Sequence, residues 1–577
     1  MNPRKGDDEE MSKKIDLIRA SFGVNNGITG GYDEALAVRC RNGVFVGKET
    51  DGILAFRGVP FAKPPVGELR WKAPVAPADS DSVSEAYYNG KTPIQTEWKT
   101  EQASYYPQGE DCLYLNIWTN PADERRDKTV MVFFHGGSYG WGGTADPMYD
   151  GAALVRKQPD IILVTVGYRT GLMGFVDFSS VEGGEAFPDA PNLGLLDQIE
   201  ALRWVQNNIA AFGGNPQNVT IFGESAGGGS VSLLPIIPQT KGLFRRVIAQ
   251  SGSVALTFSK EECREFTDRL MRESKAEDMS DLMNLSEEQL MKLNETLNLY
   301  NNFPQRDGRL IPLNPYLPYR DGLTKDIDIL IGTNADESNY WIGEIGGIVP
   351  YRFSIPVKFE NDLRVLSKED KKRVKQFVSE QKGHSIWGMS AFYTEIMFRL
   401  PAVAQAKLHA DNGGRSYMYF WTKPSAMRFC RACHAVELAY VFGNLDETIY
   451  TGESADEALS DTVIQMWTNF ARTGDPSTES LEWKPYSAEN RHTMIFSDEP
   501  HSADDVLPER RKQLAPLLKY MINASYASLD YNVPFVRKAA VIGLAAIAVI
   551  GGAAWLLLSG KDKKTNNDTS RQKSNHR

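Results

Sequence analysis

The stretch NVTIFGESAGG, from Asn218 to Gly228, decides the fold. Its first half is a short apolar run, and its second half reads Gly223-x-Ser225-x-Gly227. In this pattern a serine stands on a sharp strand-to-helix turn, strained enough that its neighbours must be small. The hydroxyl is then held above the carboxyl end of a sheet. A plain Gly-Ser loop has the same letters, so the reading needs a strand before the serine and a helix after it. NVTIF supplies the strand and Gly228 and Gly229 carry on into the helix. Ser225 is the candidate nucleophile.

Outward from that turn, strands and helices alternate. KTVMVFFH (Lys128 to His135) and DIILVTVGY (Asp160 to Tyr168) are continuous apolar runs, as strands buried on both faces would be. NLGLLDQIEALRWVQNNIAA (Asn192 to Ala211) has helical spacing, with Leu195, Ile199, Leu202, Val205 and Ile209 on one side. DIDILIG (Asp326 to Gly332) and SYMYFW (Ser416 to Trp421) are two further strands. The alternation predicts an α/β fold around a large, mostly parallel central sheet flanked by helices. Residues from about Ser338 to Ala410 read as a helical, loop-rich insertion over the sheet edge.

A serine hydroxyl needs a base, and the oxyanion formed on attack needs donors. His135-Gly136-Gly137-Ser138 ends the KTVMVFFH strand, where backbone N–H groups of Gly136, Gly137 and Ser138 can approach a substrate oxygen. Ala226 N–H adds the donor after the nucleophile. Two carboxylates, Asp336 and Glu337, follow the DIDILIG strand, and both are candidate acids. Of seven histidines, six follow these acids: His384, His409, His434, His492 and His501 in the expected catalytic domain, and His576 in the tail. His409 sits in a helical run and His492 leads into a strand, whereas His434 lies on a loop after SYMYFW. His434 is the candidate base. The same loop reads CRACH (Cys430 to His434), the spacing of covalent haem attachment. A haem would consume the one histidine the triad can use, so Cys430 and Cys433 read as ordinary loop residues or a redox-sensitive pair.

The chain resembles the type-B carboxylesterases, the carboxylesterase and cholinesterase branch of the α/β hydrolases. The likeness covers most of residues 35–515. It rests on RGVPFAKPPVGELRW (Arg57 to Trp71), EDCLYLNIW (Glu110 to Trp118), Asn192 to Gly228, AQSGS (Ala249 to Ser253) and GTNADES (Gly332 to Ser338). The resemblance implies an α/β-hydrolase fold and Glu337 as the acid. It places the base histidine within HAVELAYVFG, which is His434, and implies hydrolysis of small-molecule carboxylic esters through an acyl-enzyme without metal or cofactor. Some relatives are silent, membrane-tethered binding proteins, but those typically lack the serine. Ser138 stands where the family usually has a third glycine. Trp98 does not match a choline-binding loop and is expected to pack or to wall a pocket.

Composition excludes other classes. The chain has 577 residues, a net charge of -10 and scattered basic residues, so it offers no basic stripe for nucleic acid. Five cysteines do not make a disulfide framework, and Cys112 has only Cys40 before it as a partner. A reducing compartment is expected. The start shows no secretory signal, and residues 1–34 read as a charged extension before a catalytic domain at 35–530. AAVIGLAAIAVIGGAAWLLL (Ala539 to Leu558) carries no charge and reaches roughly 30 Å as a helix, one bilayer core. It is expected to be a single-pass anchor into a lipid bilayer, followed by a polar tail at 559–577. Six Lys or Arg in the tail favour a cytoplasmic tail. Without an export signal, the catalytic domain is nonetheless expected in the cytoplasm.

Overall fold

A computed structural model describes residues 15–95, 106–297, 303–342, 349–381 and 385–520. Among them, eleven strands form one sheet: β1 (Lys48–Thr50), β2 (Ile53–Pro60), β3 (Tyr114–Thr119), β4 (Lys128–Phe134), β5 (Ile161–Val166), β6 (Gly214–Glu224), β7 (Arg246–Gln250), β8 (Asp328–Asn334), β9 (Ser416–Trp421), β10 (Thr493–Phe496) and β11 (His501–Ala503). Their spatial order is β11-β10-β9-β8-β7-β6-β4-β5-β3-β2-β1. The stretch from β5 to β10 is parallel throughout, and the antiparallel pairs lie at the two margins. β6, which delivers Ser225, sits at the centre between β4 and β7, with Ile221 opposite Val132 and Phe222 opposite Ile248.

Two-sided burial explains the unbroken apolar runs. Every residue of β4, β5, β7 and β9 is buried. Alternate side chains serve opposite faces. Val130, Val132 and Phe134 pack with the predicted apolar side of α1 (Leu193–Asn208), namely Leu195, Ile199, Leu202 and Val205. Met131 and Phe133 go the other way, into a cluster with Val463, Ile464 and Trp467. Each fully buried aliphatic side chain contributes about 1.5–3 kcal/mol, so the α1 face alone fixes that helix to the sheet. After β6 the chain enters α2 (Ala226–Leu233), buried throughout.

The predicted insertion is present as α3 (Val349–Asp362), α4 (Lys368–Glu380), α5 (Ser385–Thr394) and α6 (Leu400–Asp411), with a core of its own around Phe359, Phe377, Phe392 and Ile396. A π-helical turn, Glu395–Arg399, joins α5 to α6. The described part of the expected N-terminal extension packs onto the body. Ile18 is buried, and the Asn25 amide donates to Arg57 O and Tyr88 O at 3.1 and 2.9 Å. The apolar run Ala539 to Leu558, expected to span a membrane, lies outside the described residues, as does Trp98. Among the described residues no helix is long and apolar enough to cross a membrane.

Candidate active site

Ser225 adopts φ 57°, ψ −117°, between β6 and α2. This is a backbone conformation that costs of order 1–3 kcal/mol and persists only where the surroundings enforce it. The enforcement is visible: Ser225 N donates to Gln250 O at 2.9 Å, and Ser225 O accepts from Gly229 N at 2.8 Å. The turn also needs its glycine, because a Cβ on Gly227 would lie 1.9 Å from Phe134 O. β4 and the start of α2 are thus so close that no side chain fits at Gly227.

The loop after β4 carries three consecutive residues at positive φ: Gly137 at 99°, Ser138 at 51° and Tyr139 at 56°. A turn of this kind can present successive backbone N–H groups to one concavity. Tyr139 holds the loop down, with its side chain fully buried and its carbonyl accepting from Gly171 N at 2.6 Å. A Cβ at Gly136 would stand 3.2 Å from Ser225 Cβ, so this loop touches the candidate nucleophile directly. His135 is not a second base. Its ring stacks on Tyr168 at 4.4 Å, its Nδ1 meets Gly136 O at 2.8 Å, and burial lowers its pKa to about 4.

His434 and Glu337 arrive from two other strand ends. His434 Nδ1 lies 2.6 Å from Glu337 Oε2, across 97 residues of sequence. Glu337 is fully buried, and its other oxygen accepts from Ser251 Oγ at 2.7 Å and Asn334 N at 2.6 Å. Asp336, the other candidate acid, faces away: it pairs with Arg431 at 3.7 Å. The structure therefore separates two adjacent carboxylates that the residue pattern left open.

Three residues here were not singled out by the sequence reading. Glu224 Oε1 lies 3.2 Å from His434 Nε2, on the side of the ring opposite Glu337. Burial pushes the Glu224 carboxyl up to about 8, with Glu437 and Glu337 adding to it against the pull of His434. Burial alone would lower His434, but Glu224, the Glu337 hydrogen bond and charge, and Glu437 outweigh it and raise the imidazole to about 9. Glu437 is buried and accepts from Asn334 Nδ2 at 2.7 Å and Gln250 Nε2 at 3.2 Å. Glu224 was in view inside Gly-Glu-Ser-Ala-Gly. Ser251 and Glu437 lay within AQSGS and HAVELAYVFG, yet no local signal ties either to the site.

Ser225, His434, Glu224, Gly136, Gly137 and Ser138 line one cavity of about 60 Å³, and Ala226 is buried directly beside the serine. Trp141, Tyr149, Tyr340, Trp341 and Tyr450 add aromatic rings to the wall, beside Asp146 and Ile449, and further rings pack on the imidazole. Trp341 stacks on His434 at 5.6 Å and 27°, and Phe398, presented by the π-helical turn, stands 4.9 Å from the same ring. All the site residues expected from sequence are therefore brought together. The CRACH spacing leads elsewhere than to haem, since both ring nitrogens of His434 already face carboxylates. Cys40, Cys112, Cys263, Cys430 and Cys433 are all buried, and none is joined in a disulfide.

A strained serine at the end of a central parallel strand, beside a left-handed glycine loop and a buried imidazole, defines an α/β hydrolase. Comparison with known proteins narrows this. Residues 34–515 match the Carboxylesterase family. The chain is 34% identical to the para-nitrobenzyl esterase of Bacillus subtilis, over 83% of this chain and 98% of that one. It is 31% identical to liver carboxylesterase 1F of Rattus norvegicus, over 77% and 86% respectively. The crystal structure of a Geobacillus stearothermophilus carboxylesterase superposes with a TM-score of 0.74 at 33% identity, covering 83% of this chain and 99% of that one. The protein belongs to the carboxylesterase family and is a carboxylic-ester hydrolase.

Proposed function

We propose that Ser225, His434 and Glu337 act as a catalytic triad on small carboxylic esters. Ser225 Oγ attacks the ester carbonyl while His434 Nε2 takes its proton. Glu337 fixes the imidazole tautomer through Nδ1–H and balances the imidazolium that forms. N–H groups of Gly137, Ser138 and Ala226, with Gly136 shaping the loop, hold the oxyanion. The alcohol leaves with the proton from His434. Water then enters, gives a proton to the same nitrogen, and cleaves the acyl-enzyme.

The observation that carries this reading is the 2.6 Å contact between His434 Nδ1 and the fully buried Glu337, at the cavity where Ser225 stands on its strained turn. A fluorophosphonate probe should label the wild-type chain and leave Ser225→Ala unlabelled. Labelling that survives the substitution would refute Ser225 as nucleophile. A chain that never labels would place the protein among the silent, membrane-tethered scaffolds instead.

The reading extends to the chain beyond the hydrolase. Ala539 to Leu558 anchors the enzyme in a bilayer with the catalytic domain in the cytoplasm, supported by 20 uncharged residues in a row. Truncation before Arg537 should give an active esterase free of membranes, whereas the full chain should sediment with them. A full-length chain that stays in the supernatant would refute the anchor. Digestion of the catalytic domain only after vesicles of cytoplasmic interior are opened would establish the side.

A further inference from the structure

The turn that carries His434 holds a feature the hydrolytic chemistry does not use. Cys430 and Cys433 are both fully buried and not joined in a disulfide, and their side chains belong to one buried cluster, three residues apart on the same turn. Cys430 Sγ also donates to Arg428 O at 3.8 Å. The other three cysteines, Cys40, Cys112 and Cys263, are buried elsewhere in the molecule and are not in disulfides.

The backbone around the two sulfurs has little slack. Phe429, Arg431 and Ala435 all take positive φ, at 70°, 53° and 65°. Non-glycine residues hold such angles only when their surroundings over-determine them. Cys433 N donates to Arg431 O at 2.9 Å, and Cys433 O accepts from Asn334 Nδ2 at 2.8 Å. The next residue's N–H, His434 N, donates to Glu337 O at 3.3 Å. Asp336 fastens the same turn twice, by N–H to Ala432 O at 2.9 Å and by its carboxylate to Arg431 at 3.7 Å.

We propose that Cys430 and Cys433 are a reversible oxidation site, at which a hydroperoxide joins the two thiols as a disulfide and the closed ring displaces His434 from its working position. The chemistry balances with peroxide as the oxidant. One sulfur attacks a peroxide oxygen, the O–O bond breaks, and with hydrogen peroxide a water leaves, giving a sulfenic acid. The second sulfur attacks the first, the S–O bond breaks, and a second water leaves. Two thiols lose two electrons and two protons in all, and one peroxide is reduced to two waters.

Closure brings the two sulfurs to a bond of about 2.05 Å. Because Cys433 is tied at both its N–H and its carbonyl, the pull is passed to the adjoining residue, His434. Burial pushes the Cys433 thiol up and so keeps it largely protonated. A protonated thiol attacks peroxide slowly, so the reaction needs excess peroxide.

The kinetic part of this inference rests on His434 being the base, and the covalent part does not. The full chain is incubated with excess hydrogen peroxide and alkylated after unfolding, then read by peptide mass spectrometry and by hydrolysis of a short-chain aryl ester. The expected result is a peptide containing Cys430 and Cys433 that has lost two hydrogens and resists alkylation until reduced. Cys40, Cys112 and Cys263 should remain alkylatable. Hydrolysis should fall by about tenfold or more, since displacements near 1 Å at a catalytic group can be that damaging, and a dithiol should restore it.

Cys430→Ser should keep its activity through the same treatment, and Cys430→Ala should do so if the serine does not fold. Both thiols recovered unlinked after peroxide, or oxidised only irreversibly, would overturn the site. A disulfide formed with no change in rate would overturn the coupling to His434 while leaving Ser225 labelling intact. Equal peroxide inactivation of the Cys430 variant would also overturn it.

Discussion

The two halves of the active site are built in opposite ways. The half that carries Ser225 and the oxyanion loop stands on β4 and β6, adjacent central strands, and is fixed by backbone: glycines that admit close approach, left-handed residues, and N–H to carbonyl bonds such as Ser225 to Gln250. The half that carries Glu337 and His434 stands on the loops after β8 and β9, where side chains are added to the backbone bonds: Ser251 holds Glu337, and Asn334 and Gln250 hold Glu437. A backbone-built site tolerates changes of charge but not of volume. One built from side chains is sensitive to every donor it loses and to pH, because its members titrate.

The largest effect should come from the first half. Ser225→Ala removes the attacking atom and leaves oxyanion donors and binding, so kcat should fall by on the order of 10⁶ with the fold retained. Circular dichroism and hydrolysis of an aryl ester measure both quantities, and a tenth of wild-type turnover would refute the assignment. Next comes Glu337→Gln, which keeps the shape but loses the charge and the tautomer control on His434 Nδ1. A loss on the order of 10⁴ in kcat is expected, while Asp336→Asn, which touches only Arg431 and the turn, should lose far less. The reverse ranking would mean that the acid was wrongly chosen.

The same contrast explains what the sequence disclosed. The elbow, the His135 to Ser138 loop and the buried strands were readable because each depends on neighbours within a few residues. Gly227 must be glycine for a local reason, and the Lys128 to Phe134 run must be apolar because both faces are covered. Physical reading alone did not choose between Asp336 and Glu337, since that choice is made by Ser251 and His434, which lie 86 and 97 residues from Glu337. Glu224 was hidden differently. It stands inside the most conspicuous motif of the chain, but its approach to His434 Nε2 depends on where a distant loop ends. The margins of the sheet were also unread as strands, because short antiparallel elements such as Lys48–Thr50, exposed throughout, carry no apolar run.

Ser251→Ala sharpens the comparison at smaller amplitude. It deletes one hydrogen bond to a buried carboxylate, a contribution of about 1.5–3 kcal/mol. If that bond serves mainly to aim Glu337 at the imidazole, kcat should drop by about tenfold while KM stays nearly constant. A change confined to KM would show that Ser251 acts on substrate and not on the acid.

The smallest effect is a displacement along the pH axis. The neutral imidazole is the base, so kcat/KM falls as pH drops through the pKa of His434. That pKa is held up at about 9, and Glu224, 3.2 Å from Nε2, is the foremost of the groups raising it. A negative charge beside the ring stabilises the imidazolium, and removing the charge must lower the pKa. Glu224→Gln keeps the volume and a hydrogen-bonding oxygen while removing the charge. Its acid limb should therefore move to lower pH by about one unit or more, so that relative activity improves on the acid side even if the plateau is reduced. The measurement is a pH profile of kcat/KM for wild type and variant on one neutral ester, whose own charge does not change over the range. A limb that stays in place would mean that Glu337 and Glu437 alone set the base. A limb that moves up would mean that Glu224 does not stabilise the imidazolium despite its 3.2 Å approach to Nε2.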